Sequence, residues 1–155
     1  MQGVQFETGG QRYAIDVQDI VEVLPAVALR FVPGAAEGIA GVLRFHGQLV
    51  PVMDLTKILT GKAAPRLKST RLILVRAKRG DDAQDLLGIL AENATLGITD
   101  ELDSSRDLSP LGIGSGTAPF LSSMTTHGEP SIVLLTTEKL ISEAAKRNII
   151  SSVEN

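Results

Sequence analysis

The sequence predicts an all-β-dominated fold of two small β units, with short helices and one further helix near the C-terminus. Three observations predict it. Residues 41–55 set two β-type runs around His46-Gly47-Gln48 and then pass straight into a helical pattern at Asp54-Leu55. The two halves of the chain repeat that order. Leu49-Val50-Pro51-Val52-Met53-Asp54-Leu55 lies over Ser131-Ile132-Val133-Leu134-Leu135-Thr136-Thr137, and Tyr13-Ala14-Ile15-Asp16-Val17 over Leu87-Gly88-Ile89-Leu90-Ala91. Internal similarity of this kind suggests a duplicated unit. Composition is the third observation: with four Phe, one Tyr and no Trp, the core has to be aliphatic.

Taken in order, residues 3–7 and 12–15 read as paired strands joined by a tight turn at Thr8-Gly9-Gly10-Gln11. Asp16 is placed to cap a helix in which Val17, Ile20, Val21 and Leu24 fall at helical spacing, ended by Pro25. A short strand is expected at 28–32, closed by Pro33-Gly34, and one helical turn at 35–40. After the central hairpin Asp54 caps a short helix, and the small-residue stretch 60–65 breaks the chain. Strands follow at 70–77 and 85–91 around a polar loop at 78–84, and the sheet continues at 94–98 after a kink at Glu92-Asn93. Residues 99–119 read as loop, and 120–124 with 131–136 as a final hairpin. Thr136 or Thr137 caps a last helix running through Asn148, with Leu140, Ile141, Ala144 and Ala145 as its apolar stripe. Five short strands per half suit two small barrels or sandwiches side by side. The organisation expected is one domain over 1–155, with halves 1–62 and 66–136 and a helix at 137–149.

Several function classes are disfavoured. A net charge of -3, from 15 Lys and Arg against 18 Asp and Glu, speaks against nucleic acid as a partner. Peptide and single-strand binders that rely on aromatic platforms are poorly matched by so few rings. The absence of cysteine removes disulfides, thiolate nucleophiles and cysteine metal sites. The opening Met-Gln-Gly-Val-Gln-Phe has no signal-peptide pattern and no apolar run approaches bilayer length, so a cytoplasmic protein without membrane insertion is expected.

Chemistry-bearing patterns are equally sparse. His46 and His127 both fall in predicted turns, and neither has a metal-ligand spacing. Gly112-Ile113-Gly114-Ser115-Gly116 lacks the glycine a dinucleotide fingerprint needs at Thr117 and the one a nucleophile elbow needs at Ile113. Asp100, Glu101, Asp103 and Asp107 lack the offsets of a calcium loop and read as a solvated acidic segment. No catalytic residue, cofactor or metal is predicted, and weight moves to a binding role.

Four segments resemble the CheW-like domain of bacterial chemotaxis coupling proteins. They are Tyr13-Ala14-Ile15-Asp16-Val17 with Ile20-Val21-Glu22-Val23; Val32-Pro33 with Ile39-Ala40-Gly41-Val42; Val50-Pro51-Val52-Met53-Asp54-Leu55; and Leu87-Gly88-Ile89-Leu90 with residues 132–141. They run in family order over nearly the whole chain. The resemblance implies two five-stranded SH3-like barrels joined by crossing segments. It also implies a non-enzymatic, stand-alone adaptor that joins the cytoplasmic tips of chemoreceptors to a histidine autokinase through the kinase's own regulatory domain. By the same resemblance, partner contacts fall on Ile20, Glu22, Gly41, Arg44 and His46.

One position departs from the family. Where the central hairpin usually reads Asn-Leu-Arg-Gly, this chain has Arg44-Phe45-His46-Gly47, so a histidine replaces the partner-contacting arginine and an arginine appears two residues earlier. Residues two apart on a strand share a face, which lets Arg44 supply some of the charge. An imidazole does not replace the five-donor fork of a guanidinium. The bland reading is drift at an exposed turn. The functional reading is a coupling protein for a non-flagellar pathway, such as surface sensing or cyclic-dinucleotide control. A generic small-β interaction module is the remaining alternative.

Overall fold

The computed structural model describes residues 1–34, 38–65, 69–79, 83–94, 97–112 and 120–146. The first hairpin forms where the Gly9-Gly10 turn places it. Strand β1 (Gly3–Thr8) pairs antiparallel with β2 (Gln11–Asp16), Thr8 opposite Gln11. Asp16 does cap the next turn, accepting the Gln18 N–H at 3.0 Å. The helix expected over 17–24 does not follow. A single 3-10 turn (Val17–Asp19) passes directly into β3 (Ile20–Pro25). Val17, Ile20, Val21 and Val23 are β-branched, stiff in a helix and suited to a pleated surface, and a partner strand was available. That partner is β6 (Arg71–Arg79), with Glu22 opposite Leu74.

The strand expected at 28–32 is also reduced. A 3-10 turn (Ala26–Ala28) leads to Arg30, which among the described residues forms an isolated bridge to Val42 of β4 (Ile39–Phe45). The central hairpin is present, β4 pairing with β5 (Gln48–Asp54). Strand β5 enters α1 (Leu55–Thr60) as its pattern predicts. The buried Asp54 accepts the Lys57 N–H on one oxygen and the Ala64 N–H on the other, each at 3.0 Å.

Strands β6 and β7 (Ala83–Ala91) pair along their full length, further towards the turn than expected. Then come β8 (Ile98–Thr99), a 3-10 turn (Glu101–Ser104), β9 (Ser105–Asp107) and a second 3-10 turn (Ser109–Leu111). The stretch expected as loop thus holds short structure in its described part. Strands β10 (Leu121–Thr125) and β11 (Ile132–Leu135) form the last hairpin, and α2 (Thr137–Lys146) follows. The first residues of the expected turn at 35–40, the tip of the loop at 78–84, most of the 112–116 segment and the end of the expected last helix lie outside the described residues.

Two sheets result, ordered β8-β1-β2-β11-β10-β9 and β3-β6-β7-β5-β4. Neither belongs to one half of the sequence. Of the five strands in the first half, β1 and β2 join the first sheet and β3, β4 and β5 the second. Parallel pairs, β2 with β11 and β5 with β7, tie the halves together.

Both sheets curl. Laid flat at about 4.8 Å per strand, five strands would hold β3 and β4 about 19 Å apart. Yet Arg30, on the chain leaving β3, exchanges both backbone hydrogen bonds with Val42 at 2.8 Å each. In the other sheet β8 and β9 are the outer strands, but only residues 100–104 join them, mostly as a 3-10 turn rising about 2 Å per residue. Two rolled β units satisfy these distances.

The core has three apolar layers. Leu29, Leu43, Val50, Val52, Leu72, Leu74 and Leu90 fill the second unit, and Ala14, Leu102 and Ile132 the first. Between the units lies the largest layer, where Phe6, Ile15, Phe120 and Leu135 of one sheet meet Met53, Ile73, Val75 and Ile89 of the other. Helix α2 closes this layer with Leu140, Ile141 and Ala144. A polar knot crosses at one side, the Thr8 and Thr56 hydroxyls sharing the Glu92 carboxylate.

Candidate protein-interaction surface

The five residues singled out from the sequence fall on the two outer strands of the second unit. Ile20 opens β3, half-buried, and packs against the layer between the units. Glu22 follows it, exposed. A chain of strand pairings (Glu22 with Leu74, Leu74 with Gly88, Gly88 with Val52, Val52 with Gly41) sets Glu22 and Gly41 at one level on opposite outer strands. Arg44 and His46 lie beyond Gly41, near the end of β4 and in its turn. Thus the sequence residues form two groups, linked through segment 26–30.

Gly41 offers no side chain to a partner and is buried. It has φ +155°, and a Cβ built there would stand 2.2 Å from the Arg30 carbonyl oxygen and 3.0 Å from Leu29 Cδ1. The close approach of the Arg30 backbone, which closes this unit, requires glycine at 41.

His46 and Gly47 both have positive φ, +48° and +78°, with Phe45 paired to Gln48 on either side. That is the two-residue hairpin turn whose twist matches the flanking strands. Histidine is among the few non-glycine residues enriched in this left-handed region. Its ring stacks on Phe45, centroids 4.1 Å apart and planes 13° from parallel. Position 46, where the sequence resemblance leads one to expect an arginine, thus holds a ring stacked on its strand neighbour, a contact that spacing alone did not reveal.

Around these residues the surface is apolar and basic. On β4 the inward side chain is Leu43, so Val42 and Arg44 face outwards, with Pro51 and Leu49 opposite them on β5. Leu49 is 67% exposed, and Phe31 77%. Arg30 joins Arg44 on this outer face, because directly bridged residues of antiparallel strands share a face. Neither arginine forms an ion pair with any described residue. Sequence reading missed Arg30; the only signal was its position in a run read as strand.

Elsewhere, His127 contacts the Thr126 hydroxyl at 2.9 Å and borders an open depression with Asp100, Glu101 and Asp103. Among the described residues no three His, Asp or Glu side chains converge as metal ligands, and no helix is long and apolar enough to cross a membrane.

Two rolled, strand-exchanged β units, the second carrying an exposed face of aliphatic and basic side chains, define this as a small two-sheet β domain. The chain belongs to the CheW-like domain family, whose sequence pattern matches residues 2–145. It is similar to Protein PilI of Pseudomonas aeruginosa, 30% identical over 73 residues, a stretch covering 47% of this chain and 41% of that protein. The match thus spans about two fifths of the relative's length. The fold is similar to that of the scaffolding protein TtCheW from Thermoanaerobacter tengcongensis, with a TM-score of 0.69 and 22% identity, covering 88% of this chain and 84% of that one. At that identity the likeness is one of fold.

Proposed function

We propose that this protein is a non-enzymatic cytoplasmic coupling scaffold, holding the regulatory domain of a histidine autokinase against the cytoplasmic tips of chemoreceptors. The observation that carries the reading is the continuous CheW-like match over residues 2–145. The structure adds an exposed surface on the second unit where Glu22, Arg44 and the His46 turn stand near unpaired apolar side chains. Partner contact is assigned to Ile20, Glu22, Arg44 and His46, with Gly41 acting through the backbone it holds in place.

A second reading, a coupling protein for a non-flagellar pathway such as surface sensing or cyclic-dinucleotide control, is favoured by the histidine at position 46. It changes which receptor and kinase are cognate, not the scaffold role.

The test is reconstitution. Purified protein is titrated against the kinase regulatory domain and a receptor tip fragment encoded near its gene, singly and together. Binding to both, with a ternary complex, is the expected result. Glu22→Lys should weaken at least one interaction while the melting temperature stays put, since exposed single charges contribute little to folding. Failure of the wild type to bind either partner overturns the proposal.

A further inference from the structure

We propose that Arg30 and Arg44 form a two-pronged clamp for an extended, acidic partner segment carrying carboxylates two residues apart, flanked by apolar side chains. The inference rests on the coupling role proposed above and names the chemistry of the partner.

The geometry comes from strand register. Arg30 lies directly across from Val42, and Arg44 is two residues beyond Val42 on the same face. Such diagonal neighbours stand about 7–8 Å apart. Two carboxylates at i and i+2 of an extended segment are about 6.6–6.8 Å apart at 3.3–3.4 Å per residue. The two spacings differ by about 1 Å, which the long arginine side chains take up, and each guanidinium fork can take one carboxylate with two parallel hydrogen bonds.

Charge points the same way. The two arginines stand on one face with no described acidic residue paired to either, although the chain as a whole is net negative at -3. Their company is apolar: Leu49 lies opposite Arg44, and Val42 lies directly across from Arg30. A nucleic-acid groove would gather more cations and fewer aliphatic side chains. An acidic segment with apolar residues beside its carboxylates satisfies both halves of the surface. Arg30 comes from the segment that closes the barrel, so the clamp exists only when the Arg30–Val42 bridge is formed.

The experiment is calorimetric titration of wild type, Arg30→Gln, Arg44→Gln and the double variant against the kinase regulatory domain and the receptor tip fragment, at low and high salt. Arg→Lys variants at both positions retain charge without the fork. Each Gln variant should bind one partner about tenfold more weakly, with a shallower salt dependence, and each Lys variant should fall between. Melting temperatures should match the wild type, because both side chains are exposed. Wild-type affinity in the double variant for both partners overturns the clamp while leaving the coupling role standing. A wild type that binds neither partner overturns both. Lys variants as tight as wild type would reduce the clamp to unspecific charge and refute the bidentate geometry.

Discussion

Replacing Gly41 by alanine tests whether the closure of the second β unit depends on one missing side chain. The added Cβ would meet the Arg30 carbonyl oxygen at 2.2 Å and its carbon at 2.9 Å. Those atoms are backbone, so no rotamer change relieves the clash. The Arg30 segment has to move away, and the two 2.8 Å bonds between Arg30 and Val42 are lost with it. Two backbone hydrogen bonds are worth about 0.5–1.5 kcal/mol each. Holding alanine at φ +155° costs on the order of 1–3 kcal/mol more. Together these predict a loss of about 2–6 kcal/mol, a large part of the roughly 5–15 kcal/mol that domains possess. In urea unfolding with a slope of about 2 kcal/mol/M the midpoint should drop by roughly 1–3 M. A midpoint unchanged within about 0.3 M would refute the closure argument.

Three further outcomes are expected. Leu140→Ala should lower stability by about 2–5 kcal/mol, since Leu140 is wholly buried between the units; wild-type unfolding would mean that α2 adds nothing to the core. His46→Gly removes left-handed strain of about 1–2 kcal/mol but also a ring stack worth about 0.5–1.5 kcal/mol. Stability should therefore change by less than about 1.5 kcal/mol, and a larger loss in thermal melts would show that the stack governs this turn. Hydrogen bonds from the Ser109 N–H and hydroxyl, each 2.9 Å, hold the Asp107 carboxyl below its ordinary value of 3.8. A carboxylate with a lowered folded-state pKa stabilises the fold above the unfolded value and loses that contribution as pH falls through the folded one. The difference in melting temperature between wild type and Asp107→Asn should thus be full at neutral pH and shrink below about pH 3.8; a difference constant down to pH 2.5 would contradict it.

Local pattern revealed the hairpins and the strand-to-helix passages, because a turn dipeptide, a cap and a change of period are written within a dozen residues. Asp54 is the clearest case, capping α1 where the period switches. The segment 17–24 misled because Val17, Ile20, Val21 and Leu24 satisfy a helical spacing, while β6 supplied a partner that made extended backbone the better state. The exchange of strands between sheets had no local signature at all. Nothing in residues 12–15 announces that β2 will lie parallel to β11, since that choice is made by the fit of distant faces. The candidate surface followed the same rule. Arg44 and the His46 turn were visible on one hairpin, whereas Arg30 reached the same face only through a bridge between segments far apart in sequence.

Strand exchange also bears on how the molecule comes into being and comes apart. A bond such as that from the Gln11 side chain to the Ser131 carbonyl spans 120 residues, and the β2–β11 pairing it accompanies cannot form until the last strands exist. Such non-local topology slows folding, because the entropy of closing long loops is spent before the contacts repay it. Neither half of the polypeptide holds a finished sheet, so a break in the connection between α1 and β6 would not release two autonomous pieces. It would leave two incomplete fragments whose only folded state is with each other.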